Sequence, residues 1–69
     1  MSAHHAGKLT YMANQIARNL ALDDTPARSV AEHIAAFWSP AMKAALIAEG
    51  SQGLTPIAAE AVELLAHGS

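Results

Sequence analysis

The sequence contains no cysteine and only one Phe, one Trp and one Tyr among its 69 residues. Without cysteine, the chain cannot form a disulfide or a thiolate metal site, and the absence fits a reducing compartment. A chain this short forms one domain at most and buries a smaller share of its surface than a typical domain. We therefore expect it to depend on very good packing or on a partner for a firm fold.

Positive charge and long apolar runs are also scarce. The chain has four Lys and Arg residues and a net charge of −2, which argues against nucleic-acid binding. A helix-turn-helix reading fails because the third predicted helix offers only Lys43 to reach base edges. No stretch approaches the roughly 20 apolar residues that cross a bilayer, and the first residues lack the apolar core of a signal peptide. We expect a soluble cytoplasmic protein.

Alanine and three Ser/Thr-Pro steps dominate what is present. The 17 alanines favour helix but add little buried area. Thr25, Ser39 and Thr55 each precede a proline, and such steps predict helix starts because the hydroxyl can cap and Pro fits the first position. The sequence predicts an all-α bundle of three to four short helices, with a tight corner at Trp38-Ser39-Pro40. The predicted helices span about residues 8–22, 26–38, 40–49 and 56–67.

Residues 1–7 are predicted to form a disordered N-terminal tail before a single helical domain over residues 8–67. Gly50 is expected as a left-handed cap after the third helix. That helix is apolar almost all round, which predicts cover on more than one side. Helical spacing predicts the buried faces of the others. These are Leu9, Met12, Ala13, Ile16 and Leu20 in the first helix, Val30, Ile34, Phe37 and Trp38 in the second, and Ile57, Ala58, Ala61, Leu64 and Leu65 in the fourth.

No catalytic or metal constellation emerges from the residues. His4 and His5 are adjacent but lack further ligands at fixed spacing, so a tail explains them better. His33 has no nucleophile or paired carboxylate in reach. Asp23 and Asp24 are explained by the favourable field of a helix N-terminus. We therefore expect no catalytic, cofactor-binding or metal-binding residue in this chain.

The remaining feature is a possible docking surface on the polar side of the first helix and at the corner. Aromatic and Arg side chains are favoured at interfaces, whereas Lys and Glu are disfavoured. The alternative is a solvated first helix and a third helix buried within its own bundle. The predicted partner interface comprises Tyr11, Asn14, Gln15, Arg18, Phe37, Trp38, Pro40 and Met42.

Two segments resemble the delta subunit of soluble NAD-dependent formate dehydrogenases, the molybdenum- or tungsten-containing kind. They are residues 11–18 (Tyr-Met-Ala-Asn-Gln-Ile-Ala-Arg) and residues 33–43 (His-Ile-Ala-Ala-Phe-Trp-Ser-Pro-Ala-Met-Lys). A Gly-rich spacer, residues 54–56 (Leu-Thr-Pro) and residues 61–65 (Ala-Val-Glu-Leu-Leu) extend the resemblance. The chain departs from the family pattern at Asn19, Leu20, Ser39 and Ala41.

The resemblance implies a small accessory subunit without redox centres of its own. Its partner would be the larger alpha subunit, which carries molybdopterin or tungstopterin and iron–sulfur clusters, together with beta and gamma subunits that carry FMN and the NAD site. The delta chain would support assembly, stability or cofactor maturation of the catalytic subunit. The alternative is a free-standing homodimeric helical adaptor or regulatory module.

Overall fold

Four α-helices make up the chain in the computed structural model, which describes residues 3–68 and their side chains from Gly7 onward. The described residues contain no β-strand. The predicted all-α fold is therefore confirmed. The helices are α1 (Ala3–Asn19), α2 (Pro26–Phe37), α3 (Pro40–Glu49) and α4 (Pro56–Ala66).

The boundaries of α1 differ from the prediction. The helix begins at Ala3 rather than at Lys8 and ends at Asn19 rather than at Leu22. After Asn19 the chain turns, with the Asp23 N–H donating to the Leu20 carbonyl (3.0 Å), and Leu22 is left 99% exposed. The predicted helix was extended to Leu22 because this residue is apolar, but its side chain is not buried. The disordered tail over residues 1–7 stays a prediction.

The proline steps start α2, α3 and α4 as predicted, but only one hydroxyl caps its helix. The Ser39 Oγ accepts a hydrogen bond from the Met42 N–H (3.2 Å). Thr25 and Thr55 make no side-chain cap bond, so the capping prediction was wrong for both. At all three starts the carbonyl of the residue before the proline accepts the first helical hydrogen bond, at 2.9 Å for Thr25, 3.0 Å for Ser39 and 2.8 Å for Thr55.

We expect Ser39→Ala to lower the free energy of unfolding by about 1 kcal/mol, because a lost N-cap leaves a helix N–H without its acceptor. Thr55→Ala is the matched control, since its hydroxyl caps nothing. Urea denaturation followed by circular dichroism compares the two variants. Equal losses of stability would contradict the assignment of the cap to Ser39.

The core is built of alanines around a few larger side chains. Ile34, Leu46 and Val30 are the largest fully buried residues, and Trp38 is 8% exposed. Within this cluster, buried alanines let the helices approach closely. The predicted apolar faces of α1 and α4 pack on the core. The buried residues are Ala13, Ala17, Ala27, Val30, Ala31, Ile34, Trp38, Leu46, Ala58, Ala61 and Val62.

Phe37 does not belong to the buried face of α2, so that part of the prediction was wrong. Its side chain is 75% exposed, whereas Val30, Ile34 and Trp38 are buried as predicted. At about 100° per residue around the helix axis, the buried side chains of α2 span the arc from Val30 to Ala31. Phe37 lies about 20° outside this arc, on the Val30 side. Two buried alanines therefore shift the face away from Phe37.

Helix α3 packs against both α1 and α4, as its apolar composition predicted. Only Leu46 is fully buried, and the outer side of the helix is an exposed row of alanines. Gly50 ends the helix with φ 77° and ψ −160°. Its φ is positive as predicted, but the ψ differs from that of a left-handed helix.

Candidate functional site

The polar face of α1 forms one side of an open groove of about 550 Å³. Tyr11, Asn14, Gln15 and Arg18 all line it, so the structure brings together the four interface residues predicted on the first helix. The four side chains lie on the same face of α1 because positions three or four residues apart, which is about one helical turn, lie on the same side of a helix. The row of side chains predicted on the first helix therefore forms one wall of a concave surface.

The opposite wall is the start of α4, and two alanines complete the lining, one in α1 and one in the turn that follows it. Thr55, Pro56 and Ile57 supply the wall, with Ala17 and Ala21 alongside. Ala17 is buried and Ile57 is half-buried. The groove is largely apolar, and most of its polar side chains lie on α1, with Thr55 on the opposite wall.

Asn14 holds the two walls together. Its side-chain Nδ2 donates to the Gly53 carbonyl (2.9 Å), and its Oδ1 accepts from the Thr55 N–H (2.9 Å). Gly53 has φ +80°, and a Cβ there would lie 3.3 Å from Thr10 Cγ2. The side-chain amide predicted to meet a partner thus makes two hydrogen bonds within the chain, which position the start of α4.

Tyr11 and Gln15 form a second polar pair on the rim of the groove. The Gln15 Nε2 donates to the Tyr11 Oη (2.9 Å), one helical turn away. Tyr11 is 63% exposed, so much of its ring is open to contact. The pair fixes an aromatic side chain at the edge of the groove.

Arg18 is the one charged side chain in the lining. Across residues 7–68, one ion pair has its nitrogen and oxygen within 4.0 Å of each other. It joins Arg28 Nε to Glu32 Oε2 at 3.7 Å on the exposed side of α2. Arg18 has no carboxylate within that distance in the same stretch. Its charge is therefore available at the groove.

The predicted corner residues lie outside the groove lining, and they differ in accessibility. Phe37 is exposed and its ring packs on His33, with centroids 4.7 Å apart and planes at 41°. Pro40 is exposed, Met42 is half-buried against the core, and Trp38 is buried. Phe37 and Pro40 are thus the corner side chains that a partner can reach, whereas Trp38 is a core residue in this chain.

The other sequence candidates are dispersed. Within the described part of the chain, no three His, Cys, Asp or Glu side chains lie together in a way that could hold a metal ion. The Asp23 carboxylate accepts from the Ser29 hydroxyl, and His33 packs on Phe37. His4 and His5 lie outside the described side chains. None of the helices in the described chain is both long and apolar enough to span a membrane.

The residues predicted from the sequence include neither the wall from α4 nor the two alanines of the groove lining. Ala17 and Ala21 are four residues apart, a spacing that would place two small side chains side by side on the helix predicted to reach Leu22, although α1 ends at Asn19 and Ala21 lies in the following turn. That spacing was a usable signal. The approach of Pro56 and Ile57 was not readable, because it depends on tertiary contacts.

Asn14→Ala should destabilise the chain by about 1 to 2 kcal/mol, because two hydrogen bonds between α1 and the loop before α4 are lost. Asn19→Ala serves as the control, since Asn19 is exposed and makes no side-chain hydrogen bond within residues 7–68. Thermal unfolding of both variants measures the difference. A melting temperature unchanged by Asn14→Ala would show that the bridge contributes nothing.

A family model matches most of the chain. The family model described as NADH-dependent formate dehydrogenase delta subunit FdsD matches residues 8–62. The matched range includes the whole groove lining and the corner. No curated protein matches the chain, and no solved structure matches it.

Proposed function

Because the chain belongs to the NADH-dependent formate dehydrogenase delta subunit family and is thus a subunit of such a complex, we propose that it is a non-catalytic accessory subunit there. It acts in the cytoplasm, as the NAD-dependent kind of this enzyme implies. Its role is to support assembly, stability or cofactor maturation of the catalytic alpha subunit. The chain docks on that subunit through the groove and the exposed corner.

The observation that carries this proposal is the open groove between α1 and α4. It is largely apolar, and Tyr11, Gln15 and Arg18 stand along one wall. Aromatic and Arg side chains around an apolar centre are typical of protein interfaces. A groove of this composition on so small a body supports docking better than it supports chemistry.

Phe37 and Pro40 extend the proposed contact to the corner between α2 and α3. An aromatic side chain that is 75% exposed loses contact with water when a partner covers it, and that burial favours binding. Trp38 packs in the core and so supports the position of the corner without being exposed itself. Of the predicted interface, Trp38 is therefore assigned a supporting position and Phe37 a contacting one.

One kind of cofactor implied by the family, the iron–sulfur cluster, does not fit the donor set of this chain. Iron–sulfur clusters are held by cysteine thiolates, and the sequence has no cysteine. We propose that the clusters are held by the alpha subunit, together with molybdopterin or tungstopterin as the family resemblance implies. FMN and NAD are assigned to the beta and gamma subunits.

Purification of the tagged chain from its native host tests the proposal. We expect the alpha subunit to be recovered with it, and its absence from a parallel purification of an unrelated tagged protein is the control. Deleting the chain should lower the amount of assembled, cofactor-loaded enzyme. Recovery of the chain alone, as a stable dimer by light scattering, would overturn the proposal in favour of a free-standing adaptor.

A further inference from the structure

The groove carries charge of one sign. Its lining contains Arg18 and no acidic side chain, although the whole chain has six acidic residues and a net charge of −2. Across residues 7–68, Arg18 has no carboxylate within 4.0 Å. A basic group therefore stands unneutralised at the edge of a largely apolar depression in an otherwise acidic protein.

The geometry beside Arg18 suits an apolar side chain. Ala21 and Pro56 line the groove next to Ile57, which is half-buried and still offers part of its surface. Small side chains on the α1 side leave the space that a larger side chain from elsewhere can fill. A bound segment that places an apolar side chain in this part of the groove also brings the residues next to that side chain close to Arg18.

We propose that the groove binds a segment of another formate dehydrogenase subunit in which an apolar side chain adjoins Asp or Glu. The apolar side chain packs between Ala21 and Ile57, and the carboxylate pairs with the Arg18 guanidinium. Arginine suits this role because its planar donors match a carboxylate, and the pairing fixes orientation. This inference rests on the proposed function and adds the chemistry of the docked segment.

Charge and shape argue against two other occupants. A basic segment would be repelled by Arg18. A second copy joined groove to groove about a two-fold axis would present the same concave surface and the same arginine. Neither arrangement supplies a carboxylate or a protruding apolar group.

The test measures binding kinetics on the cognate complex prepared without this chain. We expect Arg18→Glu to slow association about tenfold at low salt, and Arg18→Lys, which keeps the charge, to slow it less than about threefold. The difference should shrink at about 0.5 M salt, where charges are screened. Lys8→Glu is the matched control, because Lys8 is exposed, has no ion pair across residues 7–68 and lies outside the groove lining.

Circular dichroism of Arg18→Glu checks that its helices are intact. If the wild-type chain binds and Arg18→Glu binds equally fast with the same salt dependence, the acidic-segment inference is wrong and the docking role stands. If the wild-type chain does not bind the complex, the proposed function itself fails. If Arg18→Glu instead abolishes a dimer seen by light scattering, the occupant is a second copy and the inference is overturned.

Discussion

Trp38→Ala is expected to unfold the isolated chain, or nearly so. The side chain is 8% exposed and belongs to the core cluster, where it joins the end of α2 to the other helices. Truncating a buried Trp costs about 3 to 5 kcal/mol. A core of this size rarely supplies more than about 3 to 5 kcal/mol, so little or no stability remains.

The neighbouring aromatic residue provides the control for this prediction. Phe37 is 75% exposed, and we expect Phe37→Ala to change the free energy of unfolding by less than about 1 kcal/mol. Thermal denaturation followed by far-ultraviolet circular dichroism separates the two variants. An unchanged melting temperature in Trp38→Ala would show that the indole is outside the core.

Replacing Gln15 and Arg18 together by alanine should weaken association with the other formate dehydrogenase subunits at least about tenfold, or about 1.4 kcal/mol. The variant loses the guanidinium and releases the Tyr11 ring from its hydrogen-bonded position. Helicity should remain intact, because both residues lie on the partly open face of α1 and alanine is the strongest helix former.

Arg28→Ala is the control for charge removed away from the groove. Titration of each variant against the remaining subunits gives the affinities, and circular dichroism gives the helix content. Association that survives unaltered in the double variant would make this face of α1 ordinary solvated surface. Loss of helicity would instead indicate a structural role for the pair.

The starts of α2, α3 and α4 were predictable from sequence because proline acts locally. Pro26, Pro40 and Pro56 each stand at the first position of a helix, where the missing N–H is of no consequence. The burial of Phe37 was predicted wrongly because the buried face of α2 was placed from its large apolar side chains alone, without its buried alanines. Ala27 and Ala31 shift the centre of that face, and a pattern of bulky residues does not register them.

The groove could be predicted only in part. One wall follows from the spacing of Tyr11, Gln15 and Arg18 along α1. The other depends on Asn14, whose partners Gly53 and Thr55 lie far along the chain. Local patterns do not indicate such long-range hydrogen bonds, so Asn14 was assigned to a partner while its amide is engaged internally.

That engagement has a consequence for recognition. The backbone around Gly53 is already immobilised against α1 before any partner arrives, so its ordering entropy is lost during folding and not during binding. A preorganised concavity of this kind favours near rigid-body, lock-and-key association. Loosening the loop at Asn14 would therefore reduce affinity, because the ordering entropy of the loop would then be lost on binding.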